Sequence, residues 1–364
     1  MKLPPLNEWD FHSIENMLLE GDFLSKIELI FRDNMPKHLN KIKEKFPKSK
    51  FYSHSRLETF NQCKRNYYWT YIDKKPQKPG VYGLLGEAAH TSLEMLYTGQ
   101  EKQLNKKYFD NAFDKCELFG INFPKSKYDI KGNYKKDINN FYNVYKPIDK
   151  KNKQFISELG FILKIDDLHY LIGYIDLLVL NDDGTCEIVD FKTSSWYSDK
   201  DLSHHGYQLV LYKMAIEQLY NIPVNTVSWQ FLKYCQVQIG NNKFKEALQG
   251  RNWVDKCSSQ IRTLMKKKGY DSGTIDIYLS EAIINNHIDN LPDDVRNEIS
   301  VNVQTRYYDV TDEVKQEYLD YVKNSIKQIE SMGESEDLYE LSVDQFFCQN
   351  LCGFSSICKW RKIK

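Results

Sequence analysis

The stretch LIGYIDLLVLNDDGTCEIVDFKTS, residues 171–194, sets two apolar runs on either side of Asn181-Asp182-Asp183-Gly184. A turn of this composition between apolar runs signals a β-hairpin. If Asp182 to Gly184 form a three-residue loop with the glycine at its left-handed position, Leu178 faces Ile188 and Asp176 faces Asp190 across the hairpin. Directly opposed residues have Cβ atoms roughly 4.5–5.5 Å apart, and like charges there repel. Lys192 lies two residues beyond Asp190 and so projects from the same sheet face, where Tyr174, Leu178 and Ile188 are largely apolar. Two carboxylates and an ammonium on a half-buried face suit a divalent cation such as Mg²⁺ or Mn²⁺, with the lysine orienting or helping to deprotonate a water. The same three groups also suit a purely structural ion-pair network. A two-residue turn would shift the register and part the carboxylates.

Outward from the hairpin, strand signals cover 157–165, 168–180 and 185–193. A helix over 206–220 and a strand over 226–238 follow. Gln208 and Tyr212 are four apart and share a face of that helix, which read alone makes them ordinary polar positions. Upstream, Ser55 with Glu58 three residues on predicts a capped helix start, and a second helix over 86–97 puts His90 and Glu94 on one face. Residues 101–153 read as helix and loop. Helices dominate 245–300, and a strand over 301–310 leads to a helix capped by Thr311 and ending near 331. This order describes an α/β (α+β) core with a central mixed sheet. The expected divisions are a helical region over 1–50, a core over 51–240 with a basic aromatic insertion at about 101–155, a helical acidic region over 241–345, and a cysteine-bearing end over 346–364.

The 364 residues carry 50 Lys+Arg and 50 Asp+Glu, and 41% are hydrophobic. That composition excludes disordered and collagen-like chains. No run approaches the roughly 18 apolar residues of a membrane helix and the start has no secretory signal, so a cytoplasmic protein with no membrane partner is expected. Zero net charge hides a segregation: residues 30–78 hold 13 basic and 4 acidic side chains, residues 101–155 hold 13 and 7, and residues 271–345 hold 5 and 18. Basic and aromatic residues alternate in the first two segments. Lys64, Arg65, Tyr67, Lys135 and Lys136 suit single-stranded nucleic acid, where lysines meet phosphates and rings stack on bases; a solvated helix face with core aromatics suits them equally. The acidic segment is expected to face away from DNA.

Cys348, Cys352 and Cys358 form a compact C-x3-C-x5-C set near the end, and Cys63 stands in the basic segment. Clustered cysteines in a reducing compartment hold metal more often than disulfides. Cys116, Cys186, Cys235 and Cys257 have no such grouping and read as small buried apolar residues.

Taken in order, GLLGEAAHTSLE (Gly86, His90), GYIDLLV (Gly173, Asp176), IVDFKT (Asp190, Lys192) and Gln208-x-x-x-Tyr212 resemble the RecB-like branch of the PD-(D/E)XK nuclease superfamily, over about residues 53–235 and, through the cysteines, the C-terminus. The resemblance implies a restriction-endonuclease-like core. It also implies that His90, Asp176 and Asp190 bind Mg²⁺ or Mn²⁺ with the Phe191 carbonyl, that Lys192 assists the attacking water, and that Gln208 and Tyr212 hold the substrate or the site's frame. Glu158 matches a frequent family acid. The cysteine pattern is similar to that of the AddB nuclease domains and of the CRISPR adaptation nuclease, which implies that Cys63, Cys348, Cys352 and Cys358 hold a [4Fe-4S] cluster; the C-x3-C spacing in place of C-x2-C leaves Zn²⁺ as the alternative. The function so implied is a metal-dependent DNA exonuclease acting on ends or single strands in recombination, repair or phage DNA processing. The alternatives are a structure-selective or CRISPR-adaptation-type endonuclease, and a non-catalytic nucleic-acid-binding iron-sulfur module. No G-x-x-x-x-G-K-[ST] phosphate loop is present, so unwinding needs a helicase or recombination partner.

Overall fold

A computed structural model describes residues 29–199, 202–342 and 344–358. In chain order the elements are α1 (Met35–Lys45), β1 (Lys50–Ser53), α2 (His54–Gln62), α3 (Lys64–Tyr67, continued by a π-turn to Ile72), α4 (Val81–Tyr97), α5 (Lys107–Leu118), α6 (Ile130–Val144), β2 (Lys153–Lys164), β3 (His169–Asn181), β4 (Cys186–Lys192) and α7 (Leu202–Tyr220). They continue with β5 (Val224–Ile239), β6 (Lys245–Gln249), α8 (Trp253–Lys267), α9 (Ser272–Asn285), α10 (Asp293–Arg296), β7 (Ile299–Tyr308), α11 (Asp312–Ser331) and α12 (Gln345–Asn350).

The hairpin forms as its turn residues dictate. Gly184 takes φ +82°, a left-handed conformation that glycine adopts without strain, and Leu177 to Leu180 pair antiparallel with Val189 to Cys186 in the expected register. β2 runs antiparallel along the other edge of β3. β4 and β5 run parallel, joined by α7, as parallel neighbours require a crossover. β7 closes the far edge of β5. β1 continues along β3, and β6 along β5, past the ends of β4. The result is a mixed seven-stranded sheet flanked by helices, the α/β (α+β) architecture that the sequence predicts.

Two layers cover the sheet. One is built by α4, α5 and α6, whose Leu85, Ala89, Phe109 and Phe141 pack with Leu177, Val189 and Phe191. The other is built by α2, α7 and α11, whose Leu57, Leu209 and Tyr318 pack with Leu178 and Ile188. A third cluster, from α8 and α9, buries the far end of β5. Cys116, Cys186, Cys235 and Cys257 are all buried, as expected of small apolar residues. Among the described residues no helix is long and apolar enough to cross a membrane.

Several sequence expectations move. Ser53, not Ser55, caps α2 by accepting a hydrogen bond from the Arg56 amide at 3.1 Å, because the chain arrives there extended from β1. α4 begins at Val81 rather than at residue 86. The segment 245–300 contains β6, whose residues KEALQ have helix-forming preferences that pairing with β5 overrides. β7 and α11 put the segment 241–345 inside the main sheet and core.

Candidate active site

The site grows from a fork in the sheet. The β3–β4 ladder stops at Leu177↔Val189, one step short of the two aspartates, and the β1 ladder on that edge of β3 reaches only Ile172. At the fork the Phe191 amide, which continued pairing would have engaged, donates to Asp176 Oδ2 at 2.8 Å. Parting the strands there eases the repulsion of opposed carboxylates. Gly86 brings α4 over the end of β4, where an added Cβ would come within 3.0 Å of Thr193 Oγ1. One turn further along, His90 Nδ1 lies 3.6 Å from Asp176 Oδ2.

The third member of the cluster is Glu158. On β2 it sits between Ser157, which pairs with Leu177, and Leu159, which pairs with Ile175, and so stands level with Asp176. Its φ is +54°, a left-handed conformation that is strained for a residue with a Cβ. Ligand atoms of His90, Glu158 and Asp176 all lie within 4.8 Å of one another. One imidazole and carboxylate oxygens form a donor set suited to Mg²⁺ or Mn²⁺. Arg32 touches Glu158 Oε2 at 2.9 Å and stacks over Tyr174.

Asp190, expected as a direct ligand, is not in that close set. It is 1% exposed, and its Oδ2 lies 2.6 Å from Lys192 Nζ without an aligned hydrogen bond. Lys192 Nζ donates to Gln208 Oε1 at 2.9 Å, and Gln208 Nε2 donates to the Tyr212 hydroxyl at 2.7 Å. The Gln208 amide is thereby fixed in orientation, with its oxygen turned to the ammonium.

Burial, followed by the charge of Asp190, pushes the Asp176 carboxyl up to about 6, against the pull of His90, Lys192 and the Phe191 amide. A cation entering the site therefore competes with a proton near neutral pH. Burial opposes the charge on Lys192, yet Asp190, Tyr197 and Asp176 raise its pKa above the ordinary lysine value. Lys192 remains an ammonium, able to orient water and to offset negative charge but not to accept a proton. Burial likewise holds Tyr212 as a neutral phenol.

This cluster sits in a hollow of about 1420 Å³, walled by α2, α4, α7 and the chain around Arg32. A family model of the PD-(D/E)XK nuclease superfamily matches residues 52–359. The chain belongs to that superfamily. No curated protein matches it. Within the matched residues, Asp190-Phe191-Lys192 has the D-X-K order. The protein is accordingly a metal-dependent nuclease of the PD-(D/E)XK type, and nucleases of this kind use divalent cations such as Mg²⁺ or Mn²⁺ on DNA.

In this nuclease the basic segment around Cys63 is committed to internal contacts. Lys64 pairs with Glu340 at 3.1 Å, and Arg65 pairs with Glu336 at 2.8 Å while donating to the Tyr339 carbonyl. Tyr67 is 0% exposed, with its hydroxyl accepting from Arg56, so it has no free face for a base. Lys135 lies over the Phe113 ring; Lys136 stands beside it on α6. The end of the acidic segment thus meets the basic one, because opposite charges far apart in sequence attract when folding brings them together.

The C-terminal cysteines lie against the same region. Trp69 and Phe354 meet edge to face with ring centroids 5.2 Å apart. Cys63 Sγ accepts from the Asn66 amide, whose side chain reaches Cys352 Sγ at 4.0 Å. Burial pushes the Cys348 thiol up to about 11, and Cys63, Cys352 and Cys358 add to the shift.

Glu158 gives a prediction of its own. Glu158→Gly should stabilise the metal-free protein by about 1 kcal/mol, because glycine tolerates the left-handed backbone and the lost pair with the exposed Arg32 is worth little. It should also weaken Mn²⁺ binding at least tenfold. Thermal melts and Mn²⁺ titration of the same preparation check both parts.

Proposed function

We propose that this nuclease is an exonuclease that hydrolyses phosphodiester bonds at DNA ends or in single strands, in recombination, repair or phage DNA processing. The observation that carries the reading is the His90, Glu158 and Asp176 cluster at the foot of a hollow walled by three helices, with Lys192 beside it. A threaded strand reaches such a floor more readily than does the convex side of a duplex. His90, Glu158 and Asp176 hold Mg²⁺ or Mn²⁺, with Asp190 and the Phe191 carbonyl next in line as ligands. The bound cation supplies a polarised phosphate and a water of lowered pKa. Lys192, oriented by Gln208 and Tyr212, offsets the negative charge that develops as water adds and one P–O bond breaks. A structure-selective endonuclease would use the same residues. Where the substrate is duplex, a helicase partner supplies the single strand.

Cys63, Cys348, Cys352 and Cys358 hold a [4Fe-4S] cluster in this reading. Such a cluster would tie the α2–α3 region to the chain end, where Asn66 links Cys63 and Cys352.

The test incubates purified protein with end-labelled single- and double-stranded linear DNA and with closed circles, with and without Mn²⁺, beside Asp190→Ala. Metal-dependent loss of linear DNA with circles intact is the expected result. Nicked circles would replace it with the endonuclease reading, and equal cleavage by Asp190→Ala would remove the site. About four irons per chain, lost in Cys352→Ser, are expected of the cluster.

A further inference from the structure

A second hollow, also of about 1420 Å³, lies beside the metal-side one, between the start of α4, the loop after α5 and the C-terminal cysteine segment. The two hollows share Tyr82 and Gly83 as a common border, and from Tyr82 to His90 is about 12 Å along the helix axis. Their chemistry differs. The metal-side hollow is lined by Glu58, Glu87, Glu94, Glu158 and Asp176 beside Arg32 and four histidines, which suits a cation. The second hollow has no carboxylate in its lining; its charged residues are Lys78 and Lys125, and neither pairs with a described carboxylate.

Its other walls point the same way. Phe119 is 72% exposed on its rim, a large ring with no core to pack against. Gln345 and Gln349 face it with amides able to donate or accept. Gly83 lies inside the first turns of α4, where glycine is a poor helix former, and a Cβ added there would meet nothing within 4 Å. Packing does not require a glycine at that place, so its effect is to leave the border between the hollows bare.

We propose that this second hollow binds the single-stranded part of a DNA substrate, which lies along it over Gly83 and enters the metal-side hollow at Gly86 and His90. Lys78 and Lys125 meet its phosphates, and Phe119 stacks on a base. The proposal rests on the nuclease reading for the direction of the strand, but its binding arm stands apart from cleavage.

The test uses the full-length protein in EDTA and fluorescence anisotropy of a labelled oligothymidylate of about 20 nucleotides. Phe119→Ala should weaken binding about tenfold. Lys78→Gln with Lys125→Gln should lower the slope of log K against log salt by about 1.4, the value expected for two fewer phosphate contacts on a single strand. All three residues are exposed, so the variants should keep wild-type melting curves. Turnover of the p-nitrophenyl ester of thymidine 5′-monophosphate, which occupies only the metal-side hollow, should be unchanged. Wild-type affinity in both variants would overturn the proposal, as would an equal loss for a duplex of the same length. Failure of the wild-type protein to hydrolyse the ester would count against the nuclease reading alone, leaving anisotropy to decide the groove.

Discussion

Lys192→Ala is expected to abolish DNA cleavage and to lower folding stability by about 3–5 kcal/mol, the range for a buried ion pair that loses one partner. The size follows from Asp190, which is 1% exposed and 2.6 Å from the Lys192 ammonium. Without that ammonium a buried carboxylate is left uncompensated, and Gln208 loses the donor that its oxygen faces. The double variant Asp190→Ala/Lys192→Ala should recover part of the stability and none of the activity, because removing both charges removes the desolvation cost while the chemistry remains lost. Urea unfolding of the three proteins reads the first statement and cleavage of labelled DNA the second. A Lys192→Ala protein as stable as the wild type would mean that the pair is not a buried one.

Asp176→Asn is expected to act in the opposite direction on stability. The folded protein raises this carboxyl from an ordinary value of 3.8 to about 6, so its stabilising contribution is complete below about pH 3.8 and is lost as the pH rises through 6. At neutral pH the ionised Asp176 therefore burdens the metal-free protein by an amount on the order of 3 kcal/mol. Asparagine removes that charge and keeps an oxygen for the Phe191 amide. The variant should melt higher than the wild type in EDTA at pH 7.5, and the difference should shrink towards pH 4. Added Mn²⁺ should raise the melting temperature of the wild type and leave the variant nearly unchanged. Cleavage by the variant should fall at least about a thousandfold, since one carboxylate of the metal cluster is gone. A variant less stable than the wild type in EDTA would contradict the origin given for the raised pKa.

These two effects rest on residues that were legible in the sequence, because their placement follows from local rules. Asn181 to Gly184 set the hairpin register through loop length and one left-handed glycine, and the register put Asp176 level with Asp190. Lys192 followed from strand alternation. The opening of the ladder just before the aspartates was not legible, since it depends on where β1 ends along the same edge and on the Phe191 amide turning to a side chain. Glu158 was legible only through the family resemblance, and its place level with Asp176 and its left-handed backbone come from the β2–β3 pairing. The basic segment misled for a similar reason. Charge counted along the chain says nothing of Glu336 and Glu340 folding onto Arg65 and Lys64, and alternation of aromatics with lysines does not separate a core tyrosine such as Tyr67 from an exposed ring such as Phe119.

The central claim is that His90, Glu158 and Asp176 form the cation site of this nuclease, with Asp176 as the group whose proton the cation displaces. Calorimetric titration of the metal-free protein with Mn²⁺ at pH 7.5 and near pH 5, beside Asp176→Asn, tests it most directly. Saturable binding at pH 7.5, about tenfold weaker near pH 5 because Asp176 must first give up its proton, and lost in the variant, is the predicted result. Binding of equal strength at both pH values and in Asp176→Asn would place the cation elsewhere and contradict the account.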